Sequence, residues 1–299
     1  MLRTLWQFSR PHTLIGSTLS IIALYFISLW NTGSAWTGAL AAVLLPALLS
    51  ALSCNIYITG LNQWADVDVD RINKPWLPIP AGRLSRQQAL RIVLVCGGLA
   101  VLSAAATGSP GFAGLILLIM GIGTAYSLPP LKFKRNHFLA AGAITLVRGL
   151  LVNLGFFLHF RHQLTGHAAL EPFIWPLTLF VAAFSLGIAW FKDIPDTEGD
   201  AAYEFGTLAV QAGRRRAFLA GITAVSLAYL GVIAAALTGM LPGKWFFTLS
   251  HLAAWLLFLW QAQQLQVSDD ARVKRFYLFF WGLFFLEYLL YPAGLLLAA

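Results

Sequence analysis

Two strings of carboxylates in this chain share one spacing. Asn62-Gln-Trp-Ala-Asp66-Val-Asp68-Val-Asp70 and Lys192-Asp-Ile-Pro-Asp196-Thr-Glu198-Gly-Asp200 both read D-x-[DE]-x-D, and each follows an apolar run. With Asp193 and Glu204 they account for eight of the 12 acidic residues. Carboxylates gathered in this way repel one another and call for cations. Mg²⁺ suits them, because it takes oxygen ligands, keeps several waters and typically uses a few carboxylates plus substrate phosphates. Residues three or four apart share a helix face. Asn55, Thr59, Asn62, Asp66 and Asp70 therefore form one polar stripe, and Asp193, Asp196 and Asp200 form another, loosened by Pro195 and Gly199. A polar stripe in lipid is costly and should face the inside of a bundle. The expected metal-binding set is Asn62, Asp66, Asp70, Asp193, Asp196 and Asp200. Asp68 and Glu198 fall off the stripes. Solvated loop charge is the bland alternative for either string alone and does not explain the matched pair.

Cations lie close by in sequence. Arg71 and Lys74 follow the first string, Lys132, Lys134 and Arg135 follow Tyr126-Ser-Leu-Pro-Pro, and Lys192 opens the second string. Lys and Arg beside metal-binding carboxylates suggest a multiply charged anion such as a diphosphate, held by metal and side chains together. Each of these cations, taken singly, could equally be a determinant of membrane topology. Arg148 differs, because it sits inside an apolar run, where insertion of an arginine costs about 2.5–3.5 kcal/mol. With Asn153 it could bind an acceptor carboxylate or the diphosphate. A structural pair with Glu287, or snorkelling to the interface, is the alternative.

The elements that must position these residues are membrane helices. The chain of 299 residues is 59% hydrophobic and 11% charged, with mean hydropathy +0.73. A soluble domain carries about 25% charged residues, so lipid must be the main solvent. Apolar runs long enough to span a bilayer lie near 13–30, 39–61, 89–107, 112–127, 138–158, 173–191, 217–239, 245–263 and 276–297. Period-two alternation is absent, which argues against a barrel. Seventeen of the 20 Lys and Arg residues fall at the N-terminus and in the loops after the even-numbered spans; Arg161 and Lys244 lie in the opposite loops and Arg148 in a span. That asymmetry places the N-terminus and the acidic strings in the cytoplasm. In such a chain a net charge of +8 reports topology and an anionic ligand rather than nucleic acid. Cys54 and Cys96 lie in apolar runs without metal spacing. No cleavable signal pattern is seen, and no Ser/Arg-rich leader precedes the first span. A cation-coupled transporter is the rival class, but transporter sites lie near the midplane on broken helices, whereas these carboxylates cluster at one membrane face.

These strings resemble the UbiA-type intramembrane prenyltransferase superfamily, and within it the homogentisate prenyltransferase branch. The resemblance covers nearly the whole chain. It rests on Phe8-Ser-Arg-Pro-His-Thr13, the Asn62–Asp70 string, Asn73-Lys-Pro-Trp-Leu-Pro78, Tyr126-Ser-Leu-Pro-Pro130, Arg148-Gly-Leu-Leu-Val-Asn-Leu-Gly155 and Phe191-Lys-Asp-Ile-Pro-Asp-Thr-Glu-Gly-Asp200. Gln63, where many relatives have Asp, points to the homogentisate branch. Many superfamily members carry Arg where this chain has Leu77, and Lys74 or Arg83 is expected to compensate. The resemblance implies one domain over 1–299; the two matched strings, about 130 residues apart, suggest an internal duplication of halves at about 1–135 and 136–299, with coincidence in short acidic strings as the alternative. The resemblance further implies about nine transmembrane helices around a central cavity, Mg²⁺ as cofactor, and a Mg²⁺-dependent prenyl transfer from an allylic diphosphate to homogentisate with decarboxylation, a different acceptor being the alternative. Phytyl is the expected donor chain, with geranylgeranyl and solanesyl as alternatives, in tocopherol or prenylquinone synthesis. It assigns catalysis to Asp66, Asp70, Asp196, Asp200 and Arg148. Diphosphate binding falls to Asn62, Arg71, Lys74, Lys132, Lys134, Arg135 and Lys192. Acceptor binding falls to Arg10, His12, Tyr126 and Asn153. The expected location is a bacterial inner membrane or a thylakoid.

Overall fold

The computed structural model describes residues 2–34 and 41–298. Residues 39–40, where the second expected span begins, lie outside them. Helix α1 (Leu2–Phe8) is short and precedes α2 (Pro11–Thr32). The two are separated by Arg10, whose backbone is left-handed at φ 52°, while Pro11 opens α2 with a preset helical φ. The second span, α3 (Ala41–Ala65), is followed by the short α4 (Val67–Asn73). Next come α5 (Arg86–Ala106), started by a reciprocal capping box of Ser85 and Gln88, and α6 (Pro110–Ser127), capped by Ser109.

The fifth span, His137–Thr165, is not uniform. It is α-helical as α7 (His137–Ile144), widens to a π-helix over Thr145–Leu151, and resumes as α8 (Val152–Thr165). The sixth span is α9 (Ile174–Asp193), followed by the short α10 (Thr197–Ala202) and α11 (Leu208–Ala212). The last three spans are α12 (Arg214–Leu237), α13 (Lys244–Gln263) and α14 (Asp270–Leu297). Among the described residues nine helices are long and apolar enough to cross a membrane, no strand is present, and the protein is an integral, multi-pass helical bundle.

Large apolar side chains cover the outside, Leu249, Leu256 and Trp260 of α13 among them, as expected where the solvent is lipid. Inside, α9 and α14 meet through aromatic faces, with Phe184 stacked on Phe280 at 4.2 Å. A cavity of about 670 Å³ is walled by α2, α3, α6, the fifth span, α9 and α14. Helices α5, α12 and α13 contribute nothing to its lining and buttress the inner ring, α5 against α3 and α12 against α9.

Candidate active site

Both acidic strings break their helices at the same place. Helix α3 ends at Ala65 and α9 at Asp193, and Asp66 and Asp196 each sit just before the short helix that follows. In each break the backbone carbonyl of that aspartate accepts from the aspartate four residues on: Asp70 N–H to Asp66 at 2.8 Å, Asp200 N–H to Asp196 at 3.0 Å. The breaks turn Asp66, Asp70, Asp193, Asp196 and Asp200 towards one end of the cavity, all buried against protein and all lining it. Asn55, Thr59 and Asn62 continue the first stripe along the wall.

Asn73 joins the two strings directly. Its amide donates to Asp200 Oδ1 at 3.2 Å, and its carbonyl oxygen accepts from the Gly199 N–H at 3.0 Å. Gly199 is required here, because a Cβ would lie 2.2 Å from Asn73 Oδ1. Asn73 was not among the expected site residues; its place in the Asn73–Pro78 string was the available signal.

Three lysines answer five carboxylates at this mouth. Lys134 pairs with Asp66, whose other oxygen accepts from Asn62 Nδ2 at 3.0 Å. Lys74 pairs with Asp196 and lies 3.9 Å from Asp70. Lys192 pairs with Asp193 at 2.9 Å and donates to the Tyr126 hydroxyl at 3.3 Å. Lys134 is placed by a backbone bridge, in which Gly206 N–H donates to Arg135 C=O and His137 N–H to Gly206 C=O. Burial pushes the Asp70 carboxyl up to about 6, with Lys74 and Arg10 pulling against it and Asp66 and Asp196 adding to it. Asp200 is pushed up to about 7, first by burial and then by Asp193 and Asp196. Burial draws the Lys134 ammonium down, and Asp66 resists. Five buried carboxylates against three lysines and Arg10 leave the site short of positive charge.

That shortage fits a hard divalent cation. The donors are all oxygens, and Asp70 Oδ2 is buried with no hydrogen-bond partner. Among the described residues no three His, Cys, Asp or Glu side chains converge on one point. An ion here would therefore take few ligands from the chain and the rest from water and phosphate, which is the habit of Mg²⁺.

Comparison with known proteins gives this mouth a family. Residues 19–284 match the UbiA prenyltransferase family. The chain belongs to that family. It is 42% identical over 297 residues to homogentisate phytyltransferase of Synechocystis sp., covering 98% of this chain and 96% of that one. It is 37% identical to homogentisate geranylgeranyltransferase of Triticum aestivum, covering 97% of this chain and 72% of that one. The fold matches a UbiA homologue from Archaeoglobus fulgidus bound to GPP and Mg²⁺, with TM-score 0.64, 16% identity, and coverage of 97% and 99%. As a UbiA prenyltransferase, the protein is an enzyme.

The structure does not bring every expected residue to the cavity of this UbiA chain. Arg71, Lys132 and Arg135 do not line the cavity. Arg71 turns outward to Asp68 at 2.8 Å, and Lys132 lies over the Phe205 ring at 5.2 Å. Lys74, rather than Arg83, faces the site beside Leu77; Arg83 points outward to Gln7 and the Trp76 carbonyl. Asp68 and Glu198 are exposed, as expected. Gln63 is fully buried and donates to the Phe8 carbonyl at 2.7 Å, tying α1 to α3 outside the cavity. Tyr126 lines the cavity, where its hydroxyl accepts from Lys192. Arg10 and His12 line the cavity, as does Arg148. Asn153 does not; it is buried and braces the backbone. Glu287 pairs with His251 at 3.0 Å, so the structural partner considered for Arg148 is engaged elsewhere. Lys274, over the Trp76 ring at 4.4 Å, lines the cavity and was missed, because it resembled the other topology cations of its loop.

Proposed function

We propose that this enzyme transfers a prenyl group, with phytyl the preferred chain, from its allylic diphosphate to homogentisate, releasing diphosphate and CO₂. The observation that carries this reading is the carboxylate–lysine mouth closing one end of an apolar cavity, in a chain 42% identical to a homogentisate phytyltransferase. Asn62, Asp66, Asp70, Asp193, Asp196 and Asp200 would hold Mg²⁺ together with the diphosphate. When bound, Mg²⁺ supplies Lewis-acid neutralisation of the charge that develops on the leaving group. Lys74, Lys134 and Lys192 move from carboxylate to phosphate oxygens and donate charge-assisted hydrogen bonds there.

The donor C–O bond breaks, and its electron pair leaves with the diphosphate. A ring carbon of the acceptor forms the new C–C bond and gives up its proton. The carboxyl group departs as CO₂, and the side-chain methylene carbon takes up a proton to become a methyl group. Apolar walls such as Ile116, Ile119 and Phe156 exclude water that would otherwise capture the allylic cation. The mouth faces the cytoplasm, because the side that carries it holds 17 of the 20 Lys and Arg residues.

The test is incubation of membranes holding the protein with Mg²⁺, labelled homogentisate and, separately, phytyl, geranylgeranyl and solanesyl diphosphates. A decarboxylated prenyl quinol, formed fastest from the phytyl donor, is the expected product. Absence of product with every donor, from folded protein, refutes homogentisate as acceptor; a faster geranylgeranyl reaction corrects the donor alone.

A further inference from the structure

Among the described residues, the cation of the fifth span that lines the cavity has no counter-ion. Arg148 stands in the π-helical turn of the fifth span, about 15 Å of helix rise from His137, where that span begins. Its guanidinium lies 4.8 Å from the Trp281 ring centroid and 5.5 Å from that of Phe284. Among the described residues it makes no ion pair and no hydrogen bond, and its Nε is buried without a partner. His12, Tyr277 and Tyr288 line the cavity with it.

The backbone around Arg148 is held in a set shape. Asn153 Nδ2 donates to the Arg148 carbonyl at 3.0 Å and to the Gly149 carbonyl at 2.7 Å, and Tyr288 donates to Asn153 Oδ1 at 2.9 Å. Gly149 lets the turn press on α9, since a Cβ there would lie 2.6 Å from Ala182 Cα. Trp281, one face of the cage, meets the His12 ring edge-on at 5.0 Å. An unpaired guanidinium is expensive away from water. One braced by its own backbone and walled by rings is built to receive a planar anion carried on an aromatic body.

We propose that Arg148 binds the carboxylate of the aromatic acceptor and selects for acceptors that carry one, with Asn153 and Tyr288 as its positioning residues. The inference rests on the acceptor being an aryl acid, as in the function proposed above. Two anion sites then share one cavity, the lysines of the mouth at one and Arg148 at the other, with Tyr277 lining the same cavity. The donor's diphosphate is held at the first site and the acceptor's carboxylate at the second, so the acceptor ring is directed into the space between them. Arg148 is thereby assigned to the acceptor and not to the diphosphate.

The test compares wild type with Arg148→Met, Arg148→Lys and Tyr288→Phe in detergent. Three quantities are read: binding of a prenyl thiolodiphosphate with Mg²⁺, binding of phenylacetate, and KM for homogentisate against methylhydroquinone, which has the ring without the carboxyl group. Arg148→Met should leave thiolodiphosphate binding unchanged, abolish phenylacetate binding and raise the homogentisate KM about 100-fold. Its preference for homogentisate over methylhydroquinone should vanish. Arg148→Lys, which keeps the charge and loses the planar fork, should fall between and covers the case of a misfolded Met variant. Tyr288→Phe should raise the homogentisate KM several-fold without moving kcat or donor binding. Lost thiolodiphosphate binding, or an unchanged homogentisate KM in a folded variant, overturns the proposal. If wild type fails to prenylate homogentisate yet binds phenylacetate through Arg148, the acceptor identity falls and the carboxylate site stands.

Discussion

The two ends of the cavity hold anions by opposite means. At the mouth, five carboxylates face three lysines and Arg10, and the local excess is negative until further cations arrive. At the deep end a single guanidinium is left positive, screened by rings instead of counter-ions. A site for a highly charged leaving group thus gains its affinity from a metal that can be added and removed. A site for a monovalent carboxylate has its charge built in. The difference predicts that affinity at the mouth depends on metal and pH and that affinity at the deep end depends on neither.

Chelation should separate the two ends most sharply. EDTA is expected to cut turnover by about 1,000-fold or more, with full recovery on adding Mg²⁺, while phenylacetate binding measured in the same sample stays unchanged. Coupled loss of both would break the contrast. Next in size, Asp66→Asn or Asp196→Asn should lower kcat/KM by about 100- to 1,000-fold, because each keeps its volume and loses its charge. Thermal stabilisation by Mg²⁺ with a thiolodiphosphate should disappear in both variants.

Gly199→Ala tests the joint between the strings. The new methyl group collides with Asn73, at a cost of about 1–3 kcal/mol, and a Tm several degrees lower should come with weaker metal binding. A smaller effect follows from pH. Asp70 and Asp200 have folded values of about 6 and about 7, above the ordinary carboxylate value. The native state therefore holds protons that the unfolded chain has released, so the metal-free protein loses stability as pH rises from about 4 through about 7. Mg²⁺ binds the ionised forms, and its thermal shift should grow between pH 5.5 and 8; a flat profile would exclude these two groups as its ligands. Smallest of all, Arg71→Ala should change turnover by less than about twofold, since among the described residues it pairs only with exposed Asp68.

The bundle was legible because lipid demands long apolar helices, and the nine expected spans fall on the nine observed. The acidic strings were legible because buried carboxylates at matched spacing have few structural uses. Which cations face inward was not. Lys134 enters the cavity while Arg135 beside it does not, and that depends on the backbone bridge to Gly206, a contact 70 residues away in sequence. Trp281 and Phe284 were hidden among 22 Phe and 11 Trp that lipid contact and packing also explain. Asn153 looked like a ligand because a buried amide reads the same whether it meets substrate or backbone.

The π-helical turn also says how an acceptor pocket of this kind could change over evolutionary time. A stretch with bonds to the fifth residue stores an extra residue compared with an ordinary helix. Deleting one residue between Thr145 and Leu151 would let the turn relax to the usual winding, re-aiming the side chains within it while the turns on either side keep their register. Arg148 would swing off Trp281 while the mouth, anchored by other helices, kept its place. One codon lost or gained at this turn would then retune which small molecule is prenylated and leave the chemistry of the donor intact.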